Sequence, residues 1–140
     1  MSAPPTLLKP GLYSQEGTTS QPHGPSLKGA TCKCGNVFFP YQDFGCESCG
    51  RHGVDIRPSA LSGTGRILSL AKVHLHAGKG RQAPFTIAMI ELDDGPTIRT
   101  LLAAESEADA APGSKVVAKL AQVTTGDGTE VLDLRFALQR

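Results

Sequence analysis

The chain has no tryptophan, and aromatic residues make up only 5% of its 140 positions. A core built from such a sequence is aliphatic and small, and a core of that kind gains from a staple. An excess of one charge is also missing: 14 lysines and arginines face 13 aspartates and glutamates, giving a formal charge of +1. No global field is present to draw in a polyanion, which disfavours a generic nucleic-acid binder. The opening residues MSAPPTLLKP lack the apolar run of a secretory signal, and no stretch approaches the ~20 apolar residues of a membrane span. The expectation is a soluble cytoplasmic protein. Cysteine is scarce as well, with four in all, but they fall together between positions 32 and 49. In a reducing compartment that clustering points to a metal before it points to disulfides.

Residues 1–28 hold Pro4, Pro5, Pro10, Pro22 and Pro25, enough to exclude a long helix. This segment reads as an arm whose apolar clusters are Leu7-Leu8 and Leu12-Tyr13, either a disordered tail or an anchor on another protein. Residues 29–58 are rich in cysteine and glycine around Phe38-Phe39-Pro40, the composition of a metal knuckle, and a linker runs through Arg57, Pro58, Ser59 and Gly63. From 63 to 140 short runs of β-forming residues alternate with turn residues, which predicts five strands over 65–76, 84–92, 97–103, 115–124 and 130–138. Asp93-Asp94-Gly95-Pro96 and Thr125-Gly126-Asp127-Gly128 are the turns. In the last strand Leu132, Leu134, Phe136 and Leu138 point towards a core, Asp133 and Arg135 away from it. The stretch 104–111 favours helix and stops at Pro112-Gly113. A five-strand sandwich fits this periodicity about as well as a barrel does. The helical insertion between the third and fourth strands favours a five-stranded OB-fold barrel.

The cysteines are spaced Cys32-x-Cys34, then eleven residues, then Cys46-x-x-Cys49. Zinc takes four soft ligands at tetrahedral corners, and cysteine pairs on tight turns supply two corners each. Gly35 and Gly50 follow the two pairs and let the backbone turn so that its N–H groups face the thiolates. Four thiolates on one Zn²⁺ leave a charge of −2, which Lys28, Lys33 and Arg51 lie near enough in sequence to offset. A rubredoxin-like iron site and a disulfide pair are the rivals, and His52 could compete with Cys32. With no further ligand in view, the reading is one structural zinc on Cys32, Cys34, Cys46 and Cys49.

Two other groups stand out. His74 and His76 share a strand face and could chelate a metal, though a solvent- or partner-facing surface explains them as well. Gly78-Lys79-Gly80-Arg81 is a basic loop able to hold a phosphate, or simply a solvated hairpin. Outside the cluster there is no cysteine, and the serines lack a nearby His/Asp grouping. A self-sufficient enzyme is not expected.

Cys34-Gly35, Phe39-Pro40, Cys46 and Cys49-Gly50, followed by Leu61-Ser62-Gly63-x-Gly65, resemble the DUF35 family of acyl-CoA-associated OB-fold proteins with a rubredoxin-like zinc ribbon. Pro84-Phe85, Ile90-Glu91-Leu92-Asp93-Asp94-Gly95 and Pro112-Gly113-x-x-Val116 extend the likeness, which covers about 28–138. The chain departs from the pattern in its C-x-C pair, in Tyr41-Gln42 after Phe-Pro, and in an arm where the family has a helical hairpin. The resemblance implies a non-catalytic accessory subunit in a complex with a thiolase-superfamily enzyme or an acyl-CoA hydratase or aldolase. The partner would own the catalytic residues. One version is the small subunit of a benzoylsuccinyl-CoA thiolase in anaerobic toluene degradation. If the barrel touches coenzyme A, Lys79 and Arg81 are the expected phosphate contacts. The alternative function is a nucleic-acid-binding zinc-ribbon OB protein, disfavoured because residues 63–140 are neutral overall and hold only Phe85 and Phe136 as aromatics.

Overall fold

Among the described residues ten strands organise the fold: β1 Thr6–Leu7, β2 Tyr13–Ser14, β3 Ser26–Cys32, β4 Val37–Phe38, β5 Ile56–Ser62, β6 Thr64–Val73, β7 Phe85–Leu92, β8 Thr97–Leu101, β9 Lys115–Thr124 and β10 Glu130–Leu138. The computed structural model describes residues 6–19, 22, 24–73, 85–125 and 127–139. His74, His76, Lys79, Arg81 and Pro84 lie outside the described residues, and with them the far end of the first expected barrel strand.

The five expected barrel strands are β6 to β10. They neighbour one another in the order β10-β9-β6-β7-β8. A parallel bridge from Leu102 to Phe136 joins the two ends, with the Ala103 N–H donating to the Phe136 carbonyl at 2.8 Å. Closure in this order is that of an OB-fold barrel. β6 carries a bulge between Ile67 and Ser69, so Leu68 has no partner across the sheet and stands 46% exposed. The insertion expected to be helical is shorter than its composition suggests: Ala104–Ser106 is a single 3-10 turn. It is held by side chains instead, the Ser106 hydroxyl accepting from the Leu138 N–H and the Glu107 carboxylate from the Thr86 N–H. Among the described residues there is no α-helix.

The second sheet lies at the other end of the chain. β3 is its centre, pairing with β5 on one side and with β2 and then β4 on the other. The residues read as a linker are therefore strand, since β5 pairs with β3 over seven rungs from Ser26–Ser62 to Cys32–Ile56. Pro58 is tolerated because β5 is an edge strand and needs no N–H on its open side.

The two sheets share a core. Leu27 of β3 and Leu61 of β5 are a cross-strand pair, and both are buried in the cluster that holds Ile67, Ile90, Val116 and Phe136 of the barrel. The amino-terminal segment, read as either a disordered tail or an anchor on another protein, packs on its own barrel: β1 adds to β10 in parallel, and Tyr13 is 2% exposed in the same core. Burying side chains of this size contributes about 1.5–3 kcal/mol each.

Asp133, expected to face outwards, is only 5% exposed. The arm covers it. The Tyr13 hydroxyl donates to the Asp133 carboxylate at 2.9 Å and accepts from the Lys9 N–H at 3.1 Å, while Arg135 forms an ion pair with the same carboxylate. Burial first, and then the carboxylate, push the Tyr13 phenol up to about 12.

Tyr13→Phe removes one donor from a buried carboxylate and should cost about 1.5–3 kcal/mol in urea unfolding. A raised phenol adds stability that is complete below its unfolded value near ~10 and is lost as pH climbs to about 12. The wild-type chain should therefore lose more stability than Tyr13→Phe over that window. Equal losses would remove Tyr13 as the lock on the arm.

Candidate metal centre

The four cysteines come from two tight turns that face each other. Cys32 ends β3, and its N–H donates to the Asn36 carbonyl at 2.8 Å while the Gly35 N–H donates to the Cys32 carbonyl at 2.9 Å. Gly35 has φ +99°, a left-handed value that glycine adopts without a Cβ penalty. The second turn repeats the device: the Cys46 N–H donates to the Arg51 carbonyl, the Gly50 N–H to the Cys46 carbonyl, and Gly50 has φ +79°. Both turns reverse the chain within a few residues.

All four sulfur atoms lie within 4.8 Å of one another, the Cys32 and Cys49 sulfurs 3.5 Å apart and those of Cys34 and Cys46 3.8 Å apart. A tetrahedron with Zn–S of about 2.3 Å has edges of about 3.8 Å, so a tetrahedral ion fits the set with small shifts. No disulfide joins them. Among the described residues this is the one group of three or more His, Cys, Asp or Glu able to hold a metal, and exposed His52 is not part of it.

The environment favours thiolate at Cys46. The backbone N–H of Cys49 lowers the Cys46 thiol most; burial opposes it, and the Ser48 N–H and the Asn36 amide add to it, leaving Cys46 at about 6. For Cys32 the Cys34 N–H also lowers the thiol, but burial and the three neighbouring sulfurs outweigh it and push Cys32 up to about 12. Four sulfurs this close cannot all ionise without a cation among them. The N–H groups that face sulfur belong to Cys34, Ser48 and Cys49, on the turns that Gly35 and Gly50 permit. The glycines serve the turns and satisfy carbonyls.

Two supporting residues escaped the sequence reading. Asn36 reaches the Cys46 sulfur at 3.6 Å, and an asparagine shortly before a Phe-Pro carries no such signal in sequence. Gln42 closes the loop that leads into Cys46, donating to the Gly45 carbonyl at 2.6 Å and accepting from the N–H groups of Phe44 and Gly45. Of the cations expected nearby, Lys33 lies 4.0 Å from Asp55. On the barrel, Phe85 and Phe136 are buried, so neither offers a stacking surface; the exposed aromatics are Tyr41 and Phe44 beside the cysteines.

The family model "ChsH2, C-terminal OB-fold domain" matches residues 59–121. The DUF35 domain-containing scaffold protein of Methanocaldococcus jannaschii is 40% identical over 75 residues, covering 51% of this chain and 51% of that protein. Its counterpart in Methanothermobacter thermautotrophicus is 35% identical over 75 residues, covering 52% and 55%. The chain thus spans about half the length of the curated relatives it matches. Among solved structures, the Ltp2-ChsH2(DUF35) aldolase superposes with a TM-score of 0.58 at 22% identity, over 79% of this chain and 84% of that one. At that identity the likeness is one of fold. No helix among the described residues is long and apolar enough to cross a membrane. Residues 59–121 are thus similar to the C-terminal OB-fold domain of ChsH2, and part of the chain is similar to DUF35 domain-containing scaffold proteins.

Proposed function

We propose that this chain is a cytoplasmic, non-catalytic accessory subunit of a thiolase-superfamily complex that processes acyl-CoA, with one structural Zn²⁺ held by Cys32, Cys34, Cys46 and Cys49. The observation that carries the reading is the similarity of the chain to DUF35 scaffold proteins, with an OB-fold barrel joined to a four-cysteine knuckle by the β3–β5 ladder. The knuckle also exposes apolar side chains of the kind that mark protein contacts: Phe44 is 83% and Val54 94% exposed. The Gly53 N–H donates to the Asp43 carbonyl at 2.7 Å, which ties together the two loops that present them. Bracing a thiolase-like subunit is the role that fits, with benzoylsuccinyl-CoA thiolase as the candidate complex. Coenzyme A contact through Lys79 and Arg81 belongs to the same proposal.

The zinc would supply a cross-link and no chemistry of its own, since all four corners are thiolates. Metal analysis of the purified chain should return about one zinc per chain. Stoichiometric iron, or less than about half an equivalent of any metal, would rule the zinc out. Cys46→Ser should lose the metal and melt the knuckle cluster of Ala30, Phe38 and Ile56 while the barrel keeps its β signal, because Leu27 and Leu61 belong to the barrel core.

The isolated chain should turn over no acyl-CoA ester, and from its native host it should co-elute with a thiolase-superfamily subunit. Phe44→Ser with Val54→Ser should abolish that co-elution while leaving zinc content and thermal stability in place. Robust turnover by the partner-free chain would sink the accessory role. Unchanged co-elution of the double variant would move the contact off the knuckle.

A further inference from the structure

The barrel is closed at one rung only, and the gap beside that rung is a cavity of about 250 Å³. Its walls are β8 and β10, roofed by the amino-terminal strap and by Phe39. The hydrogen-bond parity of the two strands decides what faces it. Leu92 donates to Pro96 and Leu102 to Thr86, so β8 bonds β7 through its even-numbered residues. The N–H groups of Arg99 and Leu101 therefore point into the gap, and among the described residues no ladder joins β8 to β10 beyond the Leu102–Phe136 bridge. On the opposite wall the even-numbered backbone groups of β10 are already satisfied: Leu134 donates to the Asp133 carboxylate and accepts from Arg135.

The lining is apolar in its body and cationic at its rim. Leu12, Leu27, Phe39, Ile87, Ile98 and Leu134 supply the body. Lys9, Arg99 and Arg135 supply three cations against one carboxylate, Asp133, which Arg135 and Tyr13 already engage. Lys9 and Arg99 form no ion pair among the described residues.

We infer that this gap is a binding site for an amphiphilic carboxylate, its apolar body between β8 and β10 and its head on the Arg99 and Leu101 N–H groups, Arg99 and Lys9. Size sets the class. At roughly 30 Å³ per water-sized group the cavity holds about eight such groups, which admits a medium-chain or phenyl-substituted carboxylate and not a whole coenzyme. An added β-strand of about five residues carries some twenty backbone atoms and does not fit. The site belongs to the isolated chain and does not depend on the accessory-subunit reading.

The test titrates octanoate into the metal-loaded full-length chain and follows backbone amide shifts by NMR. Saturable shifts at Arg99, Leu101 and Leu134 with a millimolar or tighter dissociation constant are expected. Octanol, which keeps the body and loses the charge, should bind about tenfold more weakly or worse. Lys9→Gln with Arg99→Gln changes two exposed side chains and should weaken octanoate by a similar factor with thermal stability unchanged. Three outcomes overturn the inference: no saturable shift with octanoate, equal shifts with octanol, or shifts along β8 with an extended pentapeptide but none with octanoate, which would assign the edge to strand addition. The octanol comparison uses the wild-type chain, so it stands even if the double variant misfolds.

Discussion

Seven consecutive rungs join β3 to β5, and they run from one core to another. At one end Leu27 and Leu61 face each other inside the barrel core; at the other Cys32 opposes Ile56 in a separate cluster with Ala30, Phe38 and Cys46. A cluster of five side chains, two of them cysteines, removes too little apolar surface from water to hold a fold by itself. A metal held by the four thiolates would contribute about 10 kcal/mol. The ladder would carry that local contribution onward: with the knuckle fixed, β3 and β5 are in register, and Leu27 and Leu61 reach the barrel as a pair.

The barrel was legible because its strands combine β-forming residues with turn chemistry at each end. All five expected strands coincide with β6 to β10 over the described residues, with ends shifted by no more than a residue or two. β3 and β5 were not legible, for a physical reason. Their sequences, SLKGATC and IRPSALS, hold few large apolar residues, and β5 contains a proline. Each becomes a strand because the other is beside it, and their buried apolar side chains are those of Leu27, Ala30, Cys32, Ile56 and Leu61. The cysteine cluster, by contrast, was readable from spacing alone, since Cys32, Cys34, Cys46 and Cys49 converge. Their hydrogen-bond support was not, because Asn36 and Gln42 act through loop geometry that no periodicity encodes.

Asp133 shows where alternation misleads. Period two places it opposite the core face of β10, and a carboxylate there reads as solvent-facing. The strap changes the meaning of that face. Along the outer edge of β10, Leu132 accepts from Leu8 and Tyr13, Leu134 is satisfied by the side chains of Asp133 and Arg135, and Phe136 accepts from Ala103. Apart from the single closing bond from Ala103, the edge that a fully zipped barrel would give to β8 is thus occupied by the strap and by the side chains of Asp133 and Arg135. The gap between the strands follows from how β10 is capped.

The junction between ladder and barrel explains why Leu61-Ser62-Gly63-x-Gly65 is a specific motif and not a linker. Leu61 fills the core, and Ser62 gives both its N–H and its hydroxyl to the Asp94 carboxylate, pinning the β7–β8 turn to the junction. Thr64 donates to Asp93 at 2.7 Å in the same turn. A Cβ on Gly63 would sit 2.3 Å from the Ala118 Cβ, and one on Gly65 would sit 2.4 Å from the Glu91 carbonyl oxygen. Neither glycine has a left-handed φ, so what each position requires is the absence of a side chain. Removing the side chain lets β6 approach β9 on one flank and β7 on the other as it leaves the ladder. The close approach that closes the barrel and the pairing that holds the knuckle are therefore set within the same five residues.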